Sequence, residues 1–195
     1  MRWLLAAVFG LWLGLMPLSP LPPVLADTSP LTQADIGGLR KQAFELTSKG
    51  KFDLAEVVWT RLLEALPQEP ALWSNRGNVR VSQNKVEAAI GDYDQAIFLD
   101  PLQPDSYLNR GAAYEAVGDW QAAIDDYNYV LKLSPEYPDA YNNRGYAKVG
   151  QGDWAAALRD YETSITLQPS FSLGYANYGI ALFETGDHAR SLQIL

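Results

Sequence analysis

Three arginines each stand sixteen residues ahead of an aspartate: Arg76 and Asp92, Arg110 and Asp126, Arg144 and Asp160. A guanidinium presents a planar fork of donors that matches a carboxylate, so this pairing can build ion bridges or receive an anion. Both members come and go together, since the corresponding places hold Gln42 with Val58 and Tyr178 with Ile194. That co-occurrence favours a repeated structural bridge over a ligand site. Asparagine recurs just before the arginine position, at Asn75, Asn109 and Asn143 beside the arginines and at Asn177 beside Tyr178, joined by Asn78 and Asn142. An amide both donates and accepts, so a row of amides can hold a peptide backbone without reading its side chains.

Catalytic constellations are thin. His188 is the only histidine and cysteine is absent, which excludes zinc sites and cysteine–histidine chemistry. Asp125-Asp126 and the pair Asp92 and Asp94 fall where solvated helix faces or the bridges account for them. Gly150 and Gly152 flank a turn with no Gly-Lys-Ser/Thr after them, so no phosphate-binding loop is implied. The expectation is a non-enzyme with no catalytic residue, metal or cofactor.

The elements that must position these residues repeat every 34 residues. Glycine returns at Gly77, Gly111, Gly145 and Gly179, a large aromatic four places earlier, alanine at Ala55, Ala89, Ala123 and Ala157, and proline at Pro67, Pro101, Pro135 and Pro169. Such a period marks a stacked repeat protein. Within a unit the apolar residues form two runs at helical spacing. Between the runs stand Gly50, Asn84, Gly118, Gly152 and Gly186, the residue types that tolerate a left-handed backbone. Each unit therefore reads as helix, tight turn, helix. The glycine of the first helix lets Tyr93, Tyr127 or Tyr161 of the second approach closely, and Ala43 with Trp59 plays that part in the first unit.

This pattern resembles the tetratricopeptide repeat family over residues 36–195, with units 36–69, 70–103, 104–137, 138–171 and an incomplete 172–195. The resemblance implies an all-α, right-handed α-α superhelix whose first helices line a concave groove. It places Asn75, Asn78, Asn109, Asn142, Asn143 and Asn177 on that groove, with Tyr146, Phe44, Leu108 and Ile180 as pocket-forming neighbours. Some family members clamp acidic C-termini with lysines, an arginine and asparagines. Here Arg40 and Asn75 match, but Phe44, Asp105 and Asn109 do not, so that clamp is not expected. Asp105, Glu115 and Asp139 would make the groove acidic and favour a neutral or basic peptide.

Residues 1–26 differ in kind. Arg2 precedes an apolar run from Trp3 to Leu15, prolines follow, and Val24-Leu25-Ala26 leads into Asp27. That is the form of a secretory signal cleaved between Ala26 and Asp27, with an uncleaved membrane anchor as the alternative. A chain without cysteine carries neither disulfides nor a lipidated cysteine. Loss of Arg2 with the signal moves the net charge from −8 to −9, which argues against nucleic acid and anionic membrane as partners. Residues 27–35 read as a flexible lead-in.

The expected function is an exported interaction scaffold, in a periplasm or a thylakoid lumen, that binds a protein or peptide and assists assembly of an exported or membrane complex. Two alternatives stand beside it. One is self-assembly, a homo-oligomer through the apolar C-terminal end at Ile194 and Leu195. The other is a targeting module for an enzyme whose catalytic part is not in this sequence.

Overall fold

The computed structural model describes residues 31–194 and places ten helices and no strand within them. In chain order these are α1 (Gln33–Ser48), α2 (Phe52–Ala65), α3 (Pro70–Ser82), α4 (Val86–Leu99), α5 (Pro104–Ala116), α6 (Trp120–Leu133), α7 (Pro138–Gly150), α8 (Trp154–Leu167), α9 (Ser172–Glu184) and α10 (His188–Ile194). Among the described residues no helix is long and apolar enough to cross a membrane. The signal segment and its Ala26/Asp27 junction lie outside the described residues.

Helix boundaries follow local chemistry. Pro70, Pro104 and Pro138 occupy the first turns of α3, α5 and α7, where a missing N–H costs no intrahelical bond. The turn residues Gly50, Asn84, Gly118, Gly152 and Gly186 all have positive φ, from 61° at Asn84 to 88° at Gly186. The residue after each donates its N–H to the carbonyl five places back, at 2.8–2.9 Å, which ends the helix and turns the chain. Asp119 and Asp153 cap α6 and α8 by accepting from the N–H groups of Ala122 and Ala156.

Residues 33–35, expected in the lead-in 27–35, belong to α1. Thr32 caps α1 in a reciprocal box with Asp35: the Thr32 hydroxyl accepts from the Asp35 N–H at 3.3 Å, and Asp35 Oδ2 accepts from the Thr32 N–H at 2.9 Å. Leu31 packs against the first core cluster. These bonds and contacts carry the helix through Gly37-Gly38, whose low helix propensity would otherwise delay its start.

Packing runs from each helix to its neighbours in sequence, and the first helices of successive units, α3 with α5, α5 with α7 and α7 with α9, also touch. Second helices make no comparable contact, so the first helices line the inside of the curve. Within each unit the aromatic ring lies directly on the partner glycine. A Cβ built on Gly77, Gly111 or Gly145 would meet the ring of Tyr93, Tyr127 or Tyr161 at 2.6–2.8 Å, nearer than such atoms approach. Tyr93 and Tyr127 are in turn fully buried.

Gly111→Ala is expected to lower the urea midpoint. Overpacking costs about 1–3 kcal/mol, against roughly 1 kcal/mol that alanine returns in a helix. Gly38→Ala, where nothing lies within 4 Å of the new carbon, is expected to raise the midpoint. Equal stabilisation by both changes would show that ring and backbone are not in tight contact.

Candidate functional site

The groove depends on how its helices are held apart. Each of the three arginines meets its aspartate with both ends of the fork. Arg76 reaches Asp92 at 3.0 and 2.7 Å, Arg110 reaches Asp126 at 2.8 and 2.6 Å, and Arg144 reaches Asp160 at 2.9 and 2.7 Å. The remaining Nη1 points to the preceding unit. It donates to Thr60 Oγ1 at 3.2 Å, Asp94 Oδ1 at 2.6 Å and Asn128 Oδ1 at 2.8 Å, respectively. Each guanidinium also lies over the aromatic three places before it, Trp73, Tyr107 or Tyr141. One side chain thus joins three helices from two units. The sequence reading had only the bridge within a unit. The missed signal was that Thr60, Asp94 and Asn128, all acceptors, keep the same period.

The bridges are not equivalent. Asp92 has a second cation in Arg80 and Asp160 has one in Lys148, at 2.9 and 2.6 Å. The same place in the third unit is Tyr114, so Asp126 has Arg110 alone, and burial pushes its carboxyl up. In the fifth unit Tyr178 replaces the arginine. Arg190 of α10 approaches from the other side, donating to the Tyr178 hydroxyl and lying 3.7 Å from Glu162.

Between α3 and α5 the concave face opens into a cavity of about 360 Å³. Asn75, Asn78 and Asn109 line it with Ser74, Ser106 and Asp105. Ser74 and Ser106 share a hydrogen bond of 2.9 Å across the unit boundary and close part of its wall. Asn78 Oδ1 accepts from the Tyr93 hydroxyl at 2.7 Å, which leaves its amide nitrogen to donate. Asn75 and Asn109 make no side-chain hydrogen bond among the described residues and keep both functions. Glu69, Asp100 and Asp105 supply negative charge, and no lysine or arginine lines the space. Arg40 sits at the edge, committed to Glu69.

Further along, the asparagines are used differently. Asn142 does not face the groove. It is 3% exposed, donates to Asn143 Oδ1 at 3.2 Å and accepts from Asn177 Nδ2 at 2.9 Å. Its place in the period holds Ser74, Leu108 and Ala176 in other units, a seam position that tolerates apolar residues. Asn143 and Asn177 are therefore partly satisfied from within. Tyr146 is half exposed and sits edge-on to Trp120. With Ile180 and Phe183, also half exposed, it gives the C-terminal half of the face an apolar character. Phe44 is exposed at the other end, edge-on to Trp59. Asp139 is exposed at the start of α7, whereas Glu115 is largely enclosed and burial pushes its carboxyl up from 4.5 to about 7. His188 packs against Phe183, and the described residues contain no cluster able to hold a metal ion.

Family models for the TPR repeat match residues 77–118 and 117–152, and one for the tetratricopeptide repeat matches 142–195, together more than half of the chain. The chain belongs to the tetratricopeptide repeat family. No curated protein matches the sequence. Among solved structures, the crystal structure of MamA is 25% identical with a TM-score of 0.71, covering 78% of this chain and 89% of that one. PilF of Pseudomonas aeruginosa is 16% identical with a TM-score of 0.74, covering 82% and 72%. The first tetratricopeptide domain of Spaghetti (RPAP3), solved with the HSP90 peptide SRMEEVD, is 26% identical with a TM-score of 0.58, covering 60% and 94%. Tetratricopeptide repeats form interaction scaffolds, and this chain has that architecture.

Two measurements check the site's energetics. A double-mutant cycle on Arg110 and Asp126 is expected to show coupling above about 1 kcal/mol, with Arg110→Ala losing about 3–5 kcal/mol because it strands the buried Asp126, and Asp126→Ala losing less because Arg110 keeps Asp94. Additive losses would contradict the bridge. The second is pH dependence. A carboxyl whose folded value lies above its unfolded one favours the folded state when protonated, so Glu115 costs stability as pH rises from 4.5 through about 7. Glu115→Gln should therefore be more stable than the parent at pH 8, on the order of 1–2 kcal/mol after solvent screening, with the difference fading below pH 4.5.

Proposed function

We propose that this protein is a non-enzymatic scaffold that holds an extended, neutral to basic segment of a partner protein in its concave face. One observation carries this reading: the cavity between α3 and α5 combines unengaged Asn75 and Asn109 amides with three acids and no lining cation. The amides can meet backbone N–H and C=O groups, and the acids select against negative charge. The Spaghetti domain supports peptide binding as a use of this architecture, but its ligand SRMEEVD carries three acids. In this chain acids stand along the cavity and its one edge arginine, Arg40, is held by Glu69, so the preferred charge is the opposite. The signal-like form of residues 1–26 supports an exported partner, and assembly of an exported or membrane complex is the task this reading assigns.

The test is affinity capture from the exported fraction by the chain beginning at Asp27, beside an Asn75→Ala/Asn109→Ala variant of equal helicity. The expected result is a partner whose affinity for the variant is about 5- to 150-fold weaker, from two lost hydrogen bonds of about 0.5–1.5 kcal/mol each. Undiminished capture by the variant would move the interaction off this cavity.

A further inference from the structure

The ends of the second helices form one edge of the solenoid. The penultimate residue of each is Glu64 in α2, Phe98 in α4, Lys132 in α6 and Thr166 in α8, and all four are exposed. Four residues later, in the turns that follow, stand Gln68, Leu102, Glu136 and Ser170, again exposed throughout. Only the second unit puts an apolar residue at both places, with Phe98 78% and Leu102 69% exposed. Leu102 is presented by its own turn, since its N–H donates to Asp100 Oδ1 at 3.2 Å. A single exposed apolar residue needs no explanation, but two that break the same period side by side form a patch.

The residues flanking the patch decide what can cover it. Along the edge the first row runs acid, aromatic, base: Glu64, Phe98, Lys132. A second copy turned end for end presents base, aromatic, acid, so Phe98 meets Phe98 while Glu64 faces Lys132 on both flanks. In the second row Leu102 meets Leu102, and Gln68 faces Glu136 as a hydrogen-bonding pair. A copy pointing the same way would set Glu64 against Glu64 and Lys132 against Lys132, which is repulsive. The edge is therefore self-complementary about one two-fold axis and not about the other. Lys132 lies over the Tyr129 ring and has no carboxylate partner among the described residues, and the Glu64 side chain is 60% exposed. The neighbouring acids are engaged within the chain, Asp94 by Arg110 and Asp100 by the Leu102 N–H. We propose that this edge is a self-association surface: two copies pair antiparallel about Phe98 and Leu102, with Glu64 and Lys132 matched at the rim. Two apolar side chains per copy fall well short of the roughly 1,200 Å² of a stable interface, so the pairing is weak and concentration-dependent. The groove is lined by first helices and stays open in the pair, so the proposal does not depend on the groove-binding reading.

The test is sedimentation velocity from about 1 μM to about 1 mM on the chain beginning at Asp27, which keeps all ten helices. The expected result is a reversible shift from monomer to dimer that Phe98→Ser, of unchanged helicity, abolishes. Glu64→Lys and Lys132→Glu should each weaken the pairing about tenfold, and the double variant should restore it. The two residues stand two periods apart in one chain, so rescue arises only where two copies meet end for end. The chain has no cysteine, so Leu102→Cys can form a disulfide only with its counterpart. Under oxidised glutathione it should cross-link as a dimer, while Ser170→Cys, away from the axis, should not. Monomer at every concentration overturns the proposal, as does failure of the double variant to rescue. Association that survives Phe98→Ser overturns it too and moves the contact elsewhere, such as to the C-terminal end. A monomer whose partner capture falls with Phe98→Ser also overturns it and gives the patch to the partner.

Discussion

The contact on which the rest depends is a tyrosine ring laid on a helix backbone that has no Cβ. Gly77, Gly111 and Gly145 let Tyr93, Tyr127 and Tyr161 come closer than any other residue would permit. That approach sets the separation of the two helices in a unit, and so the reach that Arg76, Arg110 and Arg144 must span to their aspartates. It also sends the phenol through the unit, so that Tyr93 ends on the groove asparagine Asn78. Glycine is a poor helix former, and its presence inside three helices shows that packing outweighs propensity there. Groove chemistry and core packing are two ends of one side chain.

The arginine clusters are the second organising feature. A buried ion pair is weak evidence for stability, since desolvation offsets much of its attraction. Its effect is geometric: a fork that must satisfy a carboxylate on one helix and an acceptor on the previous unit admits one arrangement of three helices. The third unit is the least compensated, with Tyr114 where its neighbours have Arg80 or Lys148. It is also the unit in which a largely enclosed carboxyl, Glu115, faces Tyr127 with no cation beside it. Departures from the period gather beside the groove, where uniform packing gives way to specific chemistry.

Much of this was legible in the sequence because it rests on residue types that leave few options. A left-handed turn admits glycine or asparagine, so Asn84 among four glycines announced the turn, and Pro70, Pro104 and Pro138 announced the helix starts. The paired disappearance of arginine and aspartate announced the bridges. Features resting on direction rather than type were not legible. Asn142 and Asn143 are adjacent and chemically identical, yet a rotation of about 100° per residue puts one in the seam and the other toward the groove. Thr60, Asp94 and Asn128 share a role without sharing a residue type, so composition hid them. Glu115 read as a groove acid, because residue type alone does not show how far a carboxyl is enclosed. The early start of α1 was masked by Gly37-Gly38, which argue against the helix that Thr32 and Asp35 nevertheless cap.

Each bridging arginine has acceptors sixteen places before it and sixteen places after it. Duplication or loss of a complete 34-residue unit regenerates both contacts at the new junction, whereas any other change in length separates at least one. The network therefore acts as a length filter on the gene: whole units can be gained or lost, and fractions cannot. A unit inserted between the asparagine cavity and the Tyr146 surface of α7 would leave both in place but farther apart. The solenoid is in that sense a ruler, and the number of units between two contact points sets the stretch of partner it can measure.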